Sequence, residues 1–270
     1  SGFISYQADS SNSITLTAGR RIDRPAYQKL NPFVFIINKY TYQTGNPFLL
    51  PQYSWNIELG HQYKNFLTTA ISYSMIKNYF TQLFLTDNNG ILLYSEGNIE
   101  QAINLGVAVT VQAAPAKWWS LIGQAVFNHK ELTGFVWDEY KSSINQFNLN
   151  INNQFRIGNT YAAELSGFYT SRARNDLQEV LFPTGQVSAG VSRPVLKKKG
   201  TLKLSIRDIF YTQAMEGITD FENAEEYFIL TRDSRVVTIA FTYRFGKPVK
   251  PVQRNGGSAA DEIQRVGNGN

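Results

Sequence analysis

The strongest constraint on this chain's fold is a period of two that keeps returning. From Val236 to Phe245, an extended strand would place Val237, Ile239, Phe241, Tyr243 and Phe245 on one face. Thr238, Ala240, Thr242 and Arg244 fall on the other, where Val236 is the one bulky apolar residue. Strand side chains alternate between faces, so one side is greasy and ends in aromatics while the other is small, hydroxylated and finally charged. Such a division suits lipid on one side and a wet interior on the other.

The design repeats along the chain. After a strand from Phe3 to Ala8, Ile14, Leu16 and Ala18 share a face. Tyr53, Trp55, Ile57, Leu59, His61 and Tyr63 oppose Ser54, Asn56, Glu58, Gly60 and Gln62. Leu67, Ile71 and Met75 oppose Thr68, Ser72 and Ser74, and Ile103, Leu105 and Val107 oppose Asn104, Gly106 and Ala108. Opposite Phe147, Leu149, Ile151 and Phe155 stands a row of amides, Gln146, Asn148, Asn150, Asn152 and Gln154, which no apolar core would accept. Further strands carry Trp119 to Phe127, Tyr161 to Tyr169, Val187 to Val191 and Leu202 to Ile206, giving about eleven in all.

Connections alternate in length. Short turns near 9–13, 64, 113–117, 158 and 197–200 interleave with longer connections near 21–52, 86–95, 130–143, 172–185 and 212–232. The second of these centres on Asp87-Asn-Asn-Gly90, a strong turn signal. Short turns on one rim and long loops on the other predict an all-β, antiparallel transmembrane β-barrel. A soluble sandwich or lipocalin-like barrel would instead turn its apolar face inward.

Composition agrees. No segment approaches the roughly 18 to 20 apolar residues of a spanning helix, so any membrane role falls to strands. The 15 Tyr and 18 Phe suit interfacial girdles. There is no cysteine, which excludes disulfides and thiolate sites. The net charge of +5 is supplied largely by Lys197 to Lys199 and by Lys247, Lys250 and Arg254, and no basic surface with interleaved aromatics predicts nucleic-acid binding. No secretory signal opens the sequence. Single-chain barrels use even strand numbers, so the count of eleven is read as the C-terminal portion of a larger barrel. Residues 1–246 are read as that portion and 247–270, with Pro248, Pro251 and adjacent glycines, as a disordered periplasmic tail.

Candidate ligand contacts lie in the first long connection. Asp23 with Arg20, Arg21 and Arg24 offers an anion site, although Asp beside Arg satisfies itself and could simply pin the loop. Tyr27, Phe33, Phe35, Tyr40, Tyr42 and Phe48 offer rings for stacking, against the alternative that a long loop packs its own aromatics. Glu58, Glu164, Lys203, Arg207 and Arg244 are expected to line the lumen, with Tyr243 and Phe245 on the closing strand. His61 and His129 lack partners at metal or nucleophile spacing, so neither catalysis, a metal nor a cofactor is expected.

Gly19-Arg-Arg-Ile-Asp-Arg-Pro-Ala-Tyr-Gln-Lys-Leu-Asn-Pro-Phe33 is followed by Lys39-Tyr-Thr-Tyr-Gln-Thr-Gly-Asn-Pro-Phe48 and Leu50-Pro-Gln-Tyr53. With Ser205-Ile-Arg-Asp-Ile-Phe-Tyr211 and Phe241-Thr-Tyr-Arg-Phe-Gly246, these segments resemble the C-terminal barrel region of TonB-dependent receptors of Bacteroidetes type, within the outer membrane β-barrel family. The resemblance spans about residues 3–246. It implies a barrel of about 22 strands, an N-terminal plug gating it, energy supplied through TonB, and location in the bacterial outer membrane. Neither a plug nor a TonB box is visible in this sequence, and residues follow the terminal aromatic Phe245, which closes many barrels. The implied function is import of a bulky nutrient such as a metal chelate, cofactor or glycan fragment. Its partners would be outer-membrane lipid, the plug, TonB and a surface lipoprotein or other complex partner. The alternative is a receptor-like barrel acting as a structural or assembly scaffold.

Overall fold

The computed structural model describes residues 1–245 apart from 88, 89, 137, 175, 176, 222 and 223. The tail 247–270 therefore lies outside the described residues, as does the centre of the Asp87 to Gly90 turn. In chain order the elements are β1 (Gly2–Gln7), β2 (Asn12–Asp23), α1 (Tyr27–Leu30), β3 (Phe35–Asn38), β4 (Thr41–Gln43), β5 (Gln52–Tyr63), β6 (Leu67–Thr86), β7 (Leu92–Ala116) and β8 (Trp119–Phe135). There follow β9 (Glu139–Ile157), β10 (Tyr161–Thr170), β11 (Ala173–Arg174), β12 (Glu179–Leu181), β13 (Thr184–Val195), β14 (Gly200–Arg207), β15 (Ala214–Phe221), β16 (Ala224–Thr231) and β17 (Val236–Tyr243).

Eleven strands form one antiparallel meander in the order β1-β2-β5-β6-β7-β8-β9-β10-β13-β14-β17. The small β3–β4 hairpin joins it through a parallel pairing of β4 with β7. As the alternation implied, β17 lies against β14, with Leu202 opposite Phe241. The far edges of β1 and β17 pair with no described residue.

Register converts the sequence alternation into continuous ranks. Leu16, Leu59, Ile71, Val107, Phe127 and Phe147 stand opposite one another across six successive strands. All six are substantially exposed. One residue along, Thr17, Glu58, Ser72, Gly106, Asn128 and Gln146 form the matching polar rank on the other face. A one-residue slip would exchange the two ranks, so the apolar pattern fixes the pairing. Tyr53 and Tyr63 bound the apolar face of β5. A rise of ~3.3 Å per residue and the usual tilt separate them by about 25 Å across the membrane, the height of a barrel's apolar band.

The buried core lies beyond this band. β6, β7, β8 and β9 run on past it, and Ile99, Ala102, Leu132 and Leu177 form a buried cluster flanked by Ile76, Tyr79, Leu83, Val136 and Tyr140. Gly134 allows the close approach, since a Cβ there would lie 2.4 Å from the Ile99 Cβ. Over this cluster sits a second sheet, β11-β12-β15-β16, built from the connections after β10 and β14. Phe84 meets Tyr94 and Phe221 edge-on at 5.0 and 5.7 Å. The buried Gln178 side chain accepts from Phe84 N at 2.9 Å, and its amide donates to the carbonyls of Phe84 and Asp220. It thus stands in for a strand bridge between the two sheets.

Several connections differ from expectation. Residues expected to form loops at 86–95 and 130–143 are mostly strand, since β6 runs to Thr86 and β7 starts at Leu92, and β8 runs to Phe135 and β9 starts at Glu139. The side chains there switch from lipid-style alternation to packing the cap. Connections 172–185 and 212–232 are not irregular loops, because each contributes strands to the cap sheet. The turn expected at 113–117 narrows to 117–118, since β7 continues through Ala116.

Candidate functional site

The connection from β2 to β5 folds against the extended β6–β7 hairpin instead of projecting away. Lys29 on α1 bonds both oxygens of Glu96 at 2.9 Å, and its ammonium stands 5.8 Å from the Phe80 ring centroid. Asn46 donates to the Glu96 carbonyl, while Asn98 accepts from Leu50 N and donates to the carbonyls of Leu50 and Asn78. Gly45 and Asn46 turn their backbone N–H groups to the carbonyls of Asn31 and Lys29. A Cβ at position 45 would meet both carbonyl oxygens at 2.5 Å, so only glycine fits this crossing. The two Asn-Pro-Phe segments of the loop are thereby stitched to each other and to the barrel wall.

Beneath this connection is a cleft of about 1200 Å³ on the polar face. Arg21, Asp23, Arg24, Lys29, Gln52, Ser54, Asn56 and Glu58 are among its lining residues. Arg21 and Asp23 reach it because they share the polar face of β2. The neighbouring Arg20 points the other way, over the rings of Tyr53 and Trp55 at 5.4 and 5.6 Å. The expected self-satisfied charge cluster is therefore not formed. The Asp23 carboxylate instead accepts from Gln52 Nε2 at 3.1 Å, and alternation divides the arginines between the faces. A second hollow of about 440 Å³ lies further along the polar face, lined by Thr110, Gln124, Asn150, Asn152, Ser166, Gln186 and Ser188 with Ile122 and Phe168. Its polar groups are uncharged donors and acceptors.

The aromatic candidates separate. Tyr27 is on α1, Tyr40 lies in the β3–β4 turn beside Lys39, and Tyr42 is in β4 opposite Ile36 and Leu93. None of the three lines the cleft. The alternative that the loop packs its own aromatics fails for Phe33 and Phe48, which are 81% and 85% exposed. Residues that the sequence reading missed include Lys29, Gln52 and Glu96. The Lys29 to Glu96 pairing spans 67 positions, which no local pattern encodes.

Of the residues expected to line the lumen, Glu58 borders the cleft. Glu164 and Lys203 form an ion pair at 2.6 Å across the intervening β13. Arg207 donates from Nε to the Ser234 carbonyl. Arg244 continues β17 through its backbone N–H, which donates to the Lys199 carbonyl. Tyr243 pairs with Gly200, and Phe245 lies just beyond the end of β17.

Next to Arg207, Asp208 closes the base of the connection that carries β15 and β16. Desolvation pushes its carboxyl up, but bonds from Ser234 Oγ, Thr212 N, Gln213 N and Thr212 Oγ1 outweigh it and hold the pKa down to about 2. In the cap, burial and the adjacent Glu226 push the Tyr94 phenol up to about 12. Burial and Asp220 do the same to Tyr140. Both rings consequently remain neutral donors to carboxylates at 3.2 and 3.3 Å. These groups brace the cap, and no group of three or more metal-ligating side chains occurs among the described residues.

A family model described as the outer membrane protein beta-barrel family matches residues 1–243. No curated protein sequence matches. Among solved structures, the copper transporter OprC superposes with a TM-score of 0.63 at 13% identity, over 89% of this chain and 39% of that one. The siderophore receptor PirA from Pseudomonas aeruginosa gives 0.59 at 12% identity, over 88% and 41%. The ferric enterobactin receptor PfeA of the same organism, as a double mutant, gives 0.52 at 14% identity, over 78% and 34%. The chain thus spans less than half the length of each of these proteins.

Proposed function

The chain belongs to the outer membrane protein beta-barrel family, and from that premise we propose that it is the C-terminal barrel portion of an outer-membrane receptor that imports a bulky nutrient. The observation that carries this reading is the cleft under the inward-folded β2–β5 connection, where the cations Arg21 and Arg24 stand beside the hydrogen-bonding groups of Gln52, Ser54 and Asn56. A metal chelate, a cofactor or a glycan fragment presents acidic or hydroxyl oxygens that such a lining can bond. In the proposed cycle the long connections capture the ligand, and a plug outside this chain is remodelled through TonB to open the route. Residues 1–246 act as barrel wall, with 247–270 a periplasmic extension.

The test is uptake by cells carrying the intact gene, its deletion, or Arg21→Ala/Arg24→Ala in the full-length protein. Probes are a ferric chelate, a corrinoid and an oligosaccharide. Deletion should abolish uptake of one probe, and the double variant should reduce it by about tenfold or more, as expected when charge-assisted bonds are removed. Unchanged uptake of all three on deletion would sink the receptor reading. The exposed apolar run Phe33 to Ile37 with Phe48 supports a second reading, a scaffold contacting another outer-membrane protein. Partner copurification without any uptake defect would favour it.

A further inference from the structure

The charges on the short-turn rim are almost all of one sign. The turns and adjoining strand ends carry Lys64, Lys117, Arg193, Lys197, Lys198 and Lys199 at or toward the outer surface, all exposed. Arg156 and Arg244 add charge on the polar face. Among the described residues one carboxylate stands against them, Asp9, whose oxygens are already engaged by Ser11 N, Asn12 N and Asn12 Nδ2. The next charges inward, Glu164 and Lys203, neutralise each other.

These cations sit on an aromatic belt. Lys64 lies over Tyr63 at 5.3 Å, and Arg193 lies over Tyr161 at 5.3 Å while its Nη1 donates to the phenol oxygen. Beside Lys117, Trp118, Trp119 and Phe155 stack with centroids 6.2 to 6.3 Å apart. Rings at the water–hydrocarbon boundary with cations just beyond them reproduce the layering of a phospholipid surface, carbonyls first and phosphates next.

Backbone geometry sets how these lysines are presented. The β13–β14 turn closes with Lys199 N donating to the Leu196 carbonyl at 3.1 Å, and Leu196, Lys197 and Lys198 have φ of 50°, 54° and 69°. Lys64, at the β5–β6 turn, has φ of 50°. Left-handed backbone of this kind closes both turns within three or four residues, between Tyr63 and Leu67 and between Val195 and Gly200, and so holds the lysines at the very edge of the sheet.

We propose that the short-turn rim, through Lys64, Lys117, Arg193 and Lys197 to Lys199, binds the phosphates of anionic phospholipid headgroups in the leaflet on that side of the membrane. The bound lipid lines this arc of the rim and seats it at fixed depth. The proposal depends on the membrane-barrel fold and not on the transported nutrient.

Its test is the lipid shell of the full-length protein in nanodiscs of phosphatidylcholine mixed with phosphatidylglycerol. Wild type should retain phosphatidylglycerol about threefold or more above its bulk fraction, and added salt should erase the excess. Lys197→Gln/Lys198→Gln/Lys199→Gln should lower the enrichment substantially, whereas replacement of the same three by arginine should keep it. Lys77→Gln/Lys141→Gln, on the opposite side of the band, should leave it unchanged. The arginine variant and the remote variant also control for folding. No enrichment in wild type, equal loss in the remote variant, or capture of an acidic periplasmic protein in place of lipid would overturn the proposal.

Discussion

The band crossed by the meander and the cap above it are built from the same strands by opposite rules. In the band, apolar side chains face outward, as Ile71 at 53% exposure on the interior strand β6 illustrates, and the inner face is hydroxyl and amide. In the cap, Ile99, Leu132, Leu177 and Phe221 are buried by protein, and polar side chains bridge between sheets. The difference teaches that β6 and β7 change solvent partway along their length. Lipid serves as the apolar phase for one half, and the cap sheet serves for the other.

This contrast can be broken where packing is densest. Phe221→Ala should cost about 3–5 kcal/mol locally, because the cavity is walled by the rings of Phe84 and Tyr94. Hydrogen exchange should then quicken across 84–94 and 214–221 while 57–61 keeps its protection. Leu59→Arg attacks the other half. Reversible unfolding from lipid vesicles should show a loss of about 2–4 kcal/mol, as for cations near the midplane of a barrel's lipid face. The same substitution at exposed Met215 in the cap should change stability little.

Gln178→Ala ranks next, at about 2 kcal/mol, since it leaves Phe84's N–H and carbonyl without their bridging amide. Limited proteolysis should then cut between β10 and β13. Asp208 gives a pH signature. Its folded pKa of about 2 is below the ordinary value of 3.8, so its contribution is complete above about pH 4 and is lost as pH falls toward 2. Asp208→Asn should remove that dependence from the unfolding midpoint. Lys203→Gln should have the smallest effect, under about 1 kcal/mol in the full-length protein, because both members of its ion pair are well exposed.

Most of the band was legible in the sequence because lipid and water impose a strict period of two. The ranks through Leu59 and Glu58 follow directly from it. The cap was not legible, because its burial comes from segments far apart in the chain. β12 pairs with β15, and Gln178 reaches Phe84, without any repeat that announces the meeting. The candidate site was half legible. Alternation gave Arg21 and Asp23 a common face, but it also turned Arg20 away, and the partners Gln52 and Glu96 come from other strands.

The meander pairs every membrane strand with its neighbour along the path, whereas the bridge from Gln178 to Phe84 spans 94 positions. This separation sets an order of assembly. Hairpins such as β6–β7 and β8–β9 close through local pairing, but Phe84 cannot acquire its cap until the distant Phe221 has been brought to it. During that interval Phe84, Tyr94 and Leu132 are uncovered at the leading end of a barrel still being inserted. That apolar surface disappears when the cap docks.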